Sequence, residues 1–322
     1  MFESAGTATP DERCATATTP PARAEAAPRP PRWYGHPYNR ARFYRLAEAL
    51  GVAPRGLRLA LARRIGALAL RWLPAERAVV RRTLAAITGA SGSRLDDLAA
   101  CVFRDFAMCF SDLVSTNRLP AARLARYVGS VSGAEHLGGL AGGVVSVTAH
   151  VGNWELAGRL LATRVARRTH VVVTAEEAPE LERWVRRDGA GMRFVRRDRP
   201  GIGLELFAAL RRGEVVALQG DRAIGTRGDV DVPFFGRPAP FPLGPFLLAA
   251  AAGVPVVPAF CLLRPDRRYE VRLAPPIAVG RGDEERGARA WIALLEDVVR
   301  AHPTQWFNFF DVWGPAAAPG AS

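Results

Sequence analysis

No lysine occurs among the 322 residues, so all 44 basic side chains are arginine. Alongside heavy Ala, Gly and Pro use this fits a GC-rich coding sequence, and arginine number alone carries no functional argument. Cysteine is scarce as well. Cys14, Cys101, Cys109 and Cys261 are scattered without any C-x-x-C spacing, which disfavours a zinc site or a disulfide framework and makes a reducing compartment the default. Cys101 and Cys109 sit in a helical, largely apolar stretch and read as small core residues. The N-terminus lacks a basic start followed by an apolar core, so no secretory signal is read. No run of 18 or more uncharged apolar residues free of proline exists, so no transmembrane helix is assigned. The nearest approach, LRLALARRIGALALRWL (57–73), carries four arginines and reads as a basic amphipathic helix. Two readings of it stay open: one face packed on the core, or contact with a membrane surface.

Familiar catalytic motifs are missing too. GSVSG (129–133) has valine where a G-x-S-x-G elbow needs serine, and GIGLEL (201–206) lacks the third glycine of a dinucleotide loop. Neither a P-loop nor an H-E-x-x-H pair is present. A serine or cysteine nucleophile, a nucleotide hydrolase and a zinc hydrolase are therefore disfavoured, and no metal or cofactor is expected. Recognisable nucleic-acid-binding signatures are also absent. The net charge of +13 then points to other anionic partners, an acidic carrier protein or an anionic membrane face.

What is present divides along the chain. Residues 1–35 form a Pro/Ala-rich leader expected to be disordered, as is the tail 316–322. Apolar residues at three-and-four spacing predict helices over 39–50, 55–74, 74–89 and 93–116, giving a helical part from 36 to 125. From 126 to 315 short apolar runs alternate with helical patterns. Strands are expected at 143–149, 169–176, 192–197, 214–220, 254–264 and 269–277, and helices at 153–168, 179–189, 201–213, 243–253 and 283–303. Near-continuous apolar strands between helices predict an α/β fold, a mixed, mostly parallel sheet flanked by helices.

In such a sheet, functional groups collect at the carboxyl ends of the strands. His150 follows the strand at 143–149 and Asp221 follows the strand at 214–220. Asn153 is placed to cap the next helix, and Glu155 lies in its first turn, within reach of the imidazole. A carboxylate there would hold one ring nitrogen protonated and leave the other to accept a proton. Plainer readings stand beside this one: a satisfied structural histidine, and a glutamate that only complements the helix dipole. A base without a protein nucleophile suits direct attack by a substrate hydroxyl or amine on an activated acyl group.

The block AHVGNWELAG (149–158) resembles the H-x4-[DE] motif of the lysophospholipid acyltransferase superfamily. LRRGEVVALQGDRAIGTRGDVDVPFFGRPAPFPLGPFLLAAAAGVPVVPAF (210–260) and HPTQWFNFFDVW (302–313) are similar to later blocks of the branch containing the lauroyl/myristoyl acyltransferases of lipid A biosynthesis. The resemblance covers roughly residues 38–313. It implies a fold like that of glycerol-3-phosphate acyltransferase, with His150 as general base and Glu155 as its orienter. Asp221 and Arg199 match an acidic and a basic position of the branch, although Asp221 also reads as a turn cap and Arg199 as part of a solvated face. Asn153, Arg222 and the loop carrying Phe234, Phe235, Gly236, Arg237 and Gly244 are implied to bind substrate. There Gly236 and Gly244 would permit tight turns, Arg237 would meet a phosphate, and the phenylalanines would line an acyl groove or pack the core. The implied reaction moves a fatty acyl chain from acyl-carrier protein or acyl-CoA to a hydroxyl or amine of a lipid. The family's apolar N-terminal anchor has no counterpart in the Pro-rich leader. The expectation is thus a peripheral enzyme on the cytoplasmic face of a bacterial inner membrane, acylating lipid A or another lipid. The alternative is a non-catalytic basic module that binds lipid or carrier protein on the same fold.

Overall fold

The computed structural model describes residue 49 and residues 51–313, apart from 117–118, 163–166, 174–190, 224 and 226–227. The expected leader and tail, the helix at 179–189, and all but one residue of the helix at 39–50 lie outside the described residues.

Three helices come first: α1 (Arg55–Trp72), α2 (Pro74–Thr88) and α3 (Gly92–Thr116). Proline at the first position starts α2, where its missing N–H costs nothing, and Gly89 ends it in the left-handed conformation. Helix α3 is the longest at 25 residues, and buries Leu95, Ala99, Val102 and Phe103 along one side. A short helical turn, α4 (Ala121–Leu124), leads into β1 (Val128–Ser132), and another, α5 (Glu135–Gly138), leads into β2 (Val144–Thr148). Then follow α6 (Trp154–Ala162), β3 (Thr169–Val173), β4 (Met192–Arg196), α7 (Ile202–Arg211) and β5 (Val215–Gln219). A hairpin of β6 (Asp229–Phe234) and β7 (Arg237–Pro242) precedes α8 (Gly244–Ala252). The chain closes with β8 (Val256–Leu263), β9 (Tyr269–Leu273) and α9 (Glu284–Ala301).

Seven strands form one sheet in the order β1-β9-β8-β2-β5-β3-β4, and every pair is parallel except β8 with β9. This is the mixed, mostly parallel sheet that the apolar runs imply. All eight residues of β8 are buried, so the strand reads as VVPAFCLL without alternation. One face of the central strands, Val145, Val147 and Val216, packs against α8 and α9 through Phe246, Ala249 and Trp291. The opposite face meets α6, where Trp154 packs against Val171, Met192 and Ala217.

Two elements depart from the expectation. β1 is an edge strand whose sequence, VGSVS, has too little apolar content to signal one. The β6–β7 hairpin occupies a stretch read as loop because it holds Pro233, Pro238, Pro240 and Pro242. Proline cannot donate to a ladder, but an isolated two-stranded hairpin leaves half of its N–H groups facing outward, where none is needed.

A buried ionic cluster ties the helical part to the sheet. Asp112 on α3 is fully buried and receives both Arg55 Nε at 3.1 Å and Nη2 at 2.7 Å, while Arg58 lies 3.7 Å away. Tyr269 at the start of β9 donates its hydroxyl to the same carboxylate at 3.0 Å. Breaking a buried pair from one side leaves an uncompensated charge, typically costing about 3–5 kcal/mol. Asp112→Ala strands the buried Arg58 and is expected to lose stability of that order. Urea unfolding checks it, and a midpoint equal to wild type would show that the cluster does not hold α1 to α3.

Candidate active site

β2 and β5 are neighbours in the sheet and run parallel, so the residues that follow them emerge side by side. The Gly220 amide bonds Thr148 O at 2.8 Å, extending the pairing by one step, and the next residues are His150 and Asp221. His150 Nδ1 lies 2.8 Å from Asp221 Oδ1, and the His150 backbone amide donates to Oδ2 at 2.9 Å. A third donor, Trp306 Nε1, reaches Oδ2 at 3.1 Å. Asp221 is buried, yet its surroundings supply a full set of donors.

The loop after β2 is held on two sides. Gly152 N donates to Gln305 O and Asn153 N to Cys261 O, both at 2.8 Å, while Phe307 N donates to His150 O at 2.9 Å. Gly152 takes φ 62°, and a Cβ there would fall 2.0 Å from Cys261 O, so glycine is required twice over. The Asn153 amide nitrogen is spent on Cys109 O at 3.0 Å and on the Tyr269 hydroxyl at 3.2 Å, connecting this loop to the Asp112 cluster.

Charge on the pair follows from its setting. Burial would push the Asp221 carboxyl up, but the imidazole, Arg222 and the His150 amide pull it down to about 2. Burial lowers the His150 pKa from its ordinary 6.5, and the charge of Arg222 acts the same way, with Asp221 opposing both. At neutral pH Asp221 is therefore ionised and His150 is neutral. An ionised carboxylate only accepts, so Nδ1 carries the proton and Nε2 carries the lone pair. Such an imidazole is set up as a general base.

Sequence reasoning expected Glu155 to orient the imidazole. In the structure Asp221 occupies Nδ1. The reason is topological: adjacent parallel strands deliver Asp221 to the ring from 71 positions away. Glu155 is buried in the first turn of α6, where its charge acts on Arg159. With Thr148, Trp154 and Gln219 it lines a cavity of about 50 Å³ between α6 and the sheet. Val171, Met192 and Phe194 make the far wall of that cavity apolar.

The remaining expected residues separate into two sets. Arg222 joins the cluster from beside Asp221, donating to Phe307 O at 2.8 Å with its guanidinium 5.3 Å from the Phe310 ring centroid. Arg199 lies outside it, half exposed on the surface and ion-paired with Glu205 in the first turn of α7. Phe234 is fully buried, edge-on to Phe235, Phe241 and Trp306, so this ring packs the core behind Trp306. Phe235 and Gly236 form the two-residue hairpin turn with φ 49° and 72°, the left-handed pair such a turn demands. Phe235 N donates to Glu296 at 2.8 Å, which helps to hold a bulky residue in that conformation. Arg237 stacks 4.9 Å from the Trp313 ring centroid. Gly244 begins α8 and makes no tight turn. Trp306 and Tyr269 were not singled out from the sequence. A tryptophan in an apolar block needs an acceptor for its N–H when buried, and that was the available signal for Trp306.

A histidine–carboxylate pair, its carboxylate fully buried, stands at the carboxyl ends of two adjacent parallel strands. The chain matches the bacterial lipid A biosynthesis acyltransferase family over residues 44–314 and belongs to that family. It is 27% identical over 243 residues to a phosphatidylinositol mannoside acyltransferase of Mycobacterium tuberculosis, covering 73% of this chain and 76% of the relative. The corresponding protein of Mycolicibacterium smegmatis is 25% identical over 242 residues, 73% of this chain and 78% of the relative. The protein is an acyltransferase of lipid biosynthesis.

The tautomer is directly measurable. Nitrogen-15 NMR of histidine-labelled protein at pH 7 is expected to show His150 neutral with Nδ1 protonated. Trp306→Phe leaves two donors on Asp221 and should keep that state, whereas Asp221→Ala should lose it. An Nε2-protonated His150 in the wild type would overturn the assignment.

Proposed function

We propose that this protein transfers a fatty acyl chain from an acyl thioester to a hydroxyl of a lipid, with His150 as the general base and Asp221 as its orienter. The observation that carries this reading is the 2.8 Å Nδ1–carboxylate bond, which directs the lone pair to Nε2. Nε2 takes the proton of the acceptor hydroxyl as its oxygen attacks the thioester carbonyl. The tetrahedral adduct collapses with cleavage of the C–S bond, and the imidazolium returns its proton to the departing thiolate. Product ester and free thiol result, and no acyl-enzyme forms because the thioester is already activated.

Glu155 is a second carboxylate, in the lining of the apolar cavity, and we assign it to positioning the reacting groups there. The cavity itself, walled by Val171, Met192 and Phe194, suits the first part of an acyl chain. Arg222 neighbours the base, where its charge favours the developing alkoxide and depresses the imidazole pKa. Both donors considered, acyl-carrier protein and acyl-CoA, are anionic, which the net charge of +13 favours. Phosphatidylinositol mannoside, named by the relatives, and lipid A, named by the family, are the first acceptors to assay. No helix among the described residues is long and apolar enough to cross a membrane. Attachment to the cytoplasmic face of the inner membrane through surface contacts fits that finding.

The test is acyl transfer by purified protein from labelled acyl-carrier protein or acyl-CoA to these lipids, followed by mass spectrometry of the product. His150→Ala should remain folded and lose about 10²–10⁴-fold in rate, the range for removing a general base. Glu155→Ala should cost less. Turnover by His150→Ala at the wild-type rate would contradict the mechanism.

A further inference from the structure

Helix α1 presents two unlike faces, and only one of them is covered. Arg58, Leu59, Ala62 and Gly66 are buried against the rest of the protein. Leu57, Leu61, Ile65, Leu68 and Trp72 are exposed, at 63, 40, 48, 43 and 71%. Their spacing of four, four, three and four residues sets them in one line along the helix, since each residue turns it by about 100°. Scattered exposed leucines need no explanation, but an unbroken line of five large apolar side chains ending in tryptophan does.

The charge on this helix is also unusual for the chain. α1 holds five arginines and no carboxylate. Elsewhere exposed arginines are commonly neutralised close by, as in Arg196 with Asp198, Arg286 with Asp283 and Arg300 with Glu296. Arg64 and Arg71 fall on the same side as the apolar line, each three residues on from a member of it, Leu61 and Leu68. Among the described residues neither has an ion pair. An apolar line bordered by unneutralised guanidinium groups, with tryptophan at its end, complements a surface that is apolar below and anionic above. Arginine stems lie along the apolar layer while their heads meet phosphate.

We propose that this face of α1 docks on an anionic lipid bilayer, with Leu61, Ile65 and Leu68 entering the headgroup–acyl boundary and Arg64 and Arg71 engaging lipid phosphates. The placement is consistent with the site. α1 packs on α3, whose Cys109 carbonyl holds Asn153 in the loop that carries His150, so docking sets the site within two helices of its lipid acceptor. The choice of lipid as partner rests on the acyl-transfer reading, but the surface itself stands on exposure and charge.

The experiment is sedimentation of the full-length protein with vesicles of phosphatidylcholine alone or mixed with phosphatidylglycerol. Wild type is expected to bind the mixed vesicles, more weakly at high salt. The triple variant Leu61→Gln/Ile65→Gln/Leu68→Gln and the double variant Arg64→Gln/Arg71→Gln should each bind at least about tenfold more weakly. Both should keep the wild-type Tm and the wild-type rate on detergent-dispersed acceptor. Undiminished vesicle binding by the triple variant would overturn the proposal. So would a wild-type dimer, seen by light scattering, that the triple variant converts to monomer, because the face would then be a subunit interface. Vesicle binding that tracks α1 in a protein with no transfer activity would sink the catalytic reading and leave docking standing. Transfer activity with vesicle binding indifferent to α1 would do the reverse.

Discussion

The organisation of the site depends on one buried carboxylate. A charge removed from water must be compensated on the spot, and Asp221 meets that need with donors from two other parts of the chain. The His150 backbone amide and ring come from the end of β2, and the indole N–H of Trp306 comes from the segment after α9. Satisfying Asp221 therefore requires β2, β5 and the C-terminal segment to meet at one point. The loop at 150–153, clamped by Gln305, Phe307 and Cys261, has little freedom left. Preorganisation of the imidazole is thus a by-product of burying its partner.

A second histidine–carboxylate pair makes the same contact elsewhere in the sheet. His170, the second residue of β3, is buried, with Nε2 2.7 Å from Glu214. Glu214 is held at about 2, first by Arg212 and then by His170. That pair lies where β3 and β5 begin, at the end of the sheet opposite to His150. The two pairs share a bond of nearly the same length, so the bond alone does not define a site. Position at the carboxyl ends of the strands makes the difference.

Much of the fold was legible because buried parallel strands leave a plain trace. GVVSVTA and EVVALQG are runs that no amphipathic helix would produce, and both became strands. β1 was hidden because an edge strand of Gly and Ser carries no such trace, and β6–β7 because its prolines argue against pairing in a larger sheet. The site was half legible. His150 and Asp221 stood out by position, but their bond spans 71 residues and depends on strand order, which apolar patterning does not encode. Glu155 was the nearer carboxylate in sequence and so attracted the role. For Phe234 two readings were open, acyl groove or core, and the ring is core behind Trp306.

Arg222 gives the most direct handle on whether His150 acts as the base. Its charge lowers the imidazole pKa, so replacing it with glutamine should raise that pKa while leaving the Asp221 bond in place. The acid limb of kcat/KM reports this ionisation in the free enzyme. The wild type should show a midpoint below 6.5, and Arg222→Gln should move it to higher pH. A wild-type midpoint above 6.5, or a limb unmoved by the substitution, would contradict the account.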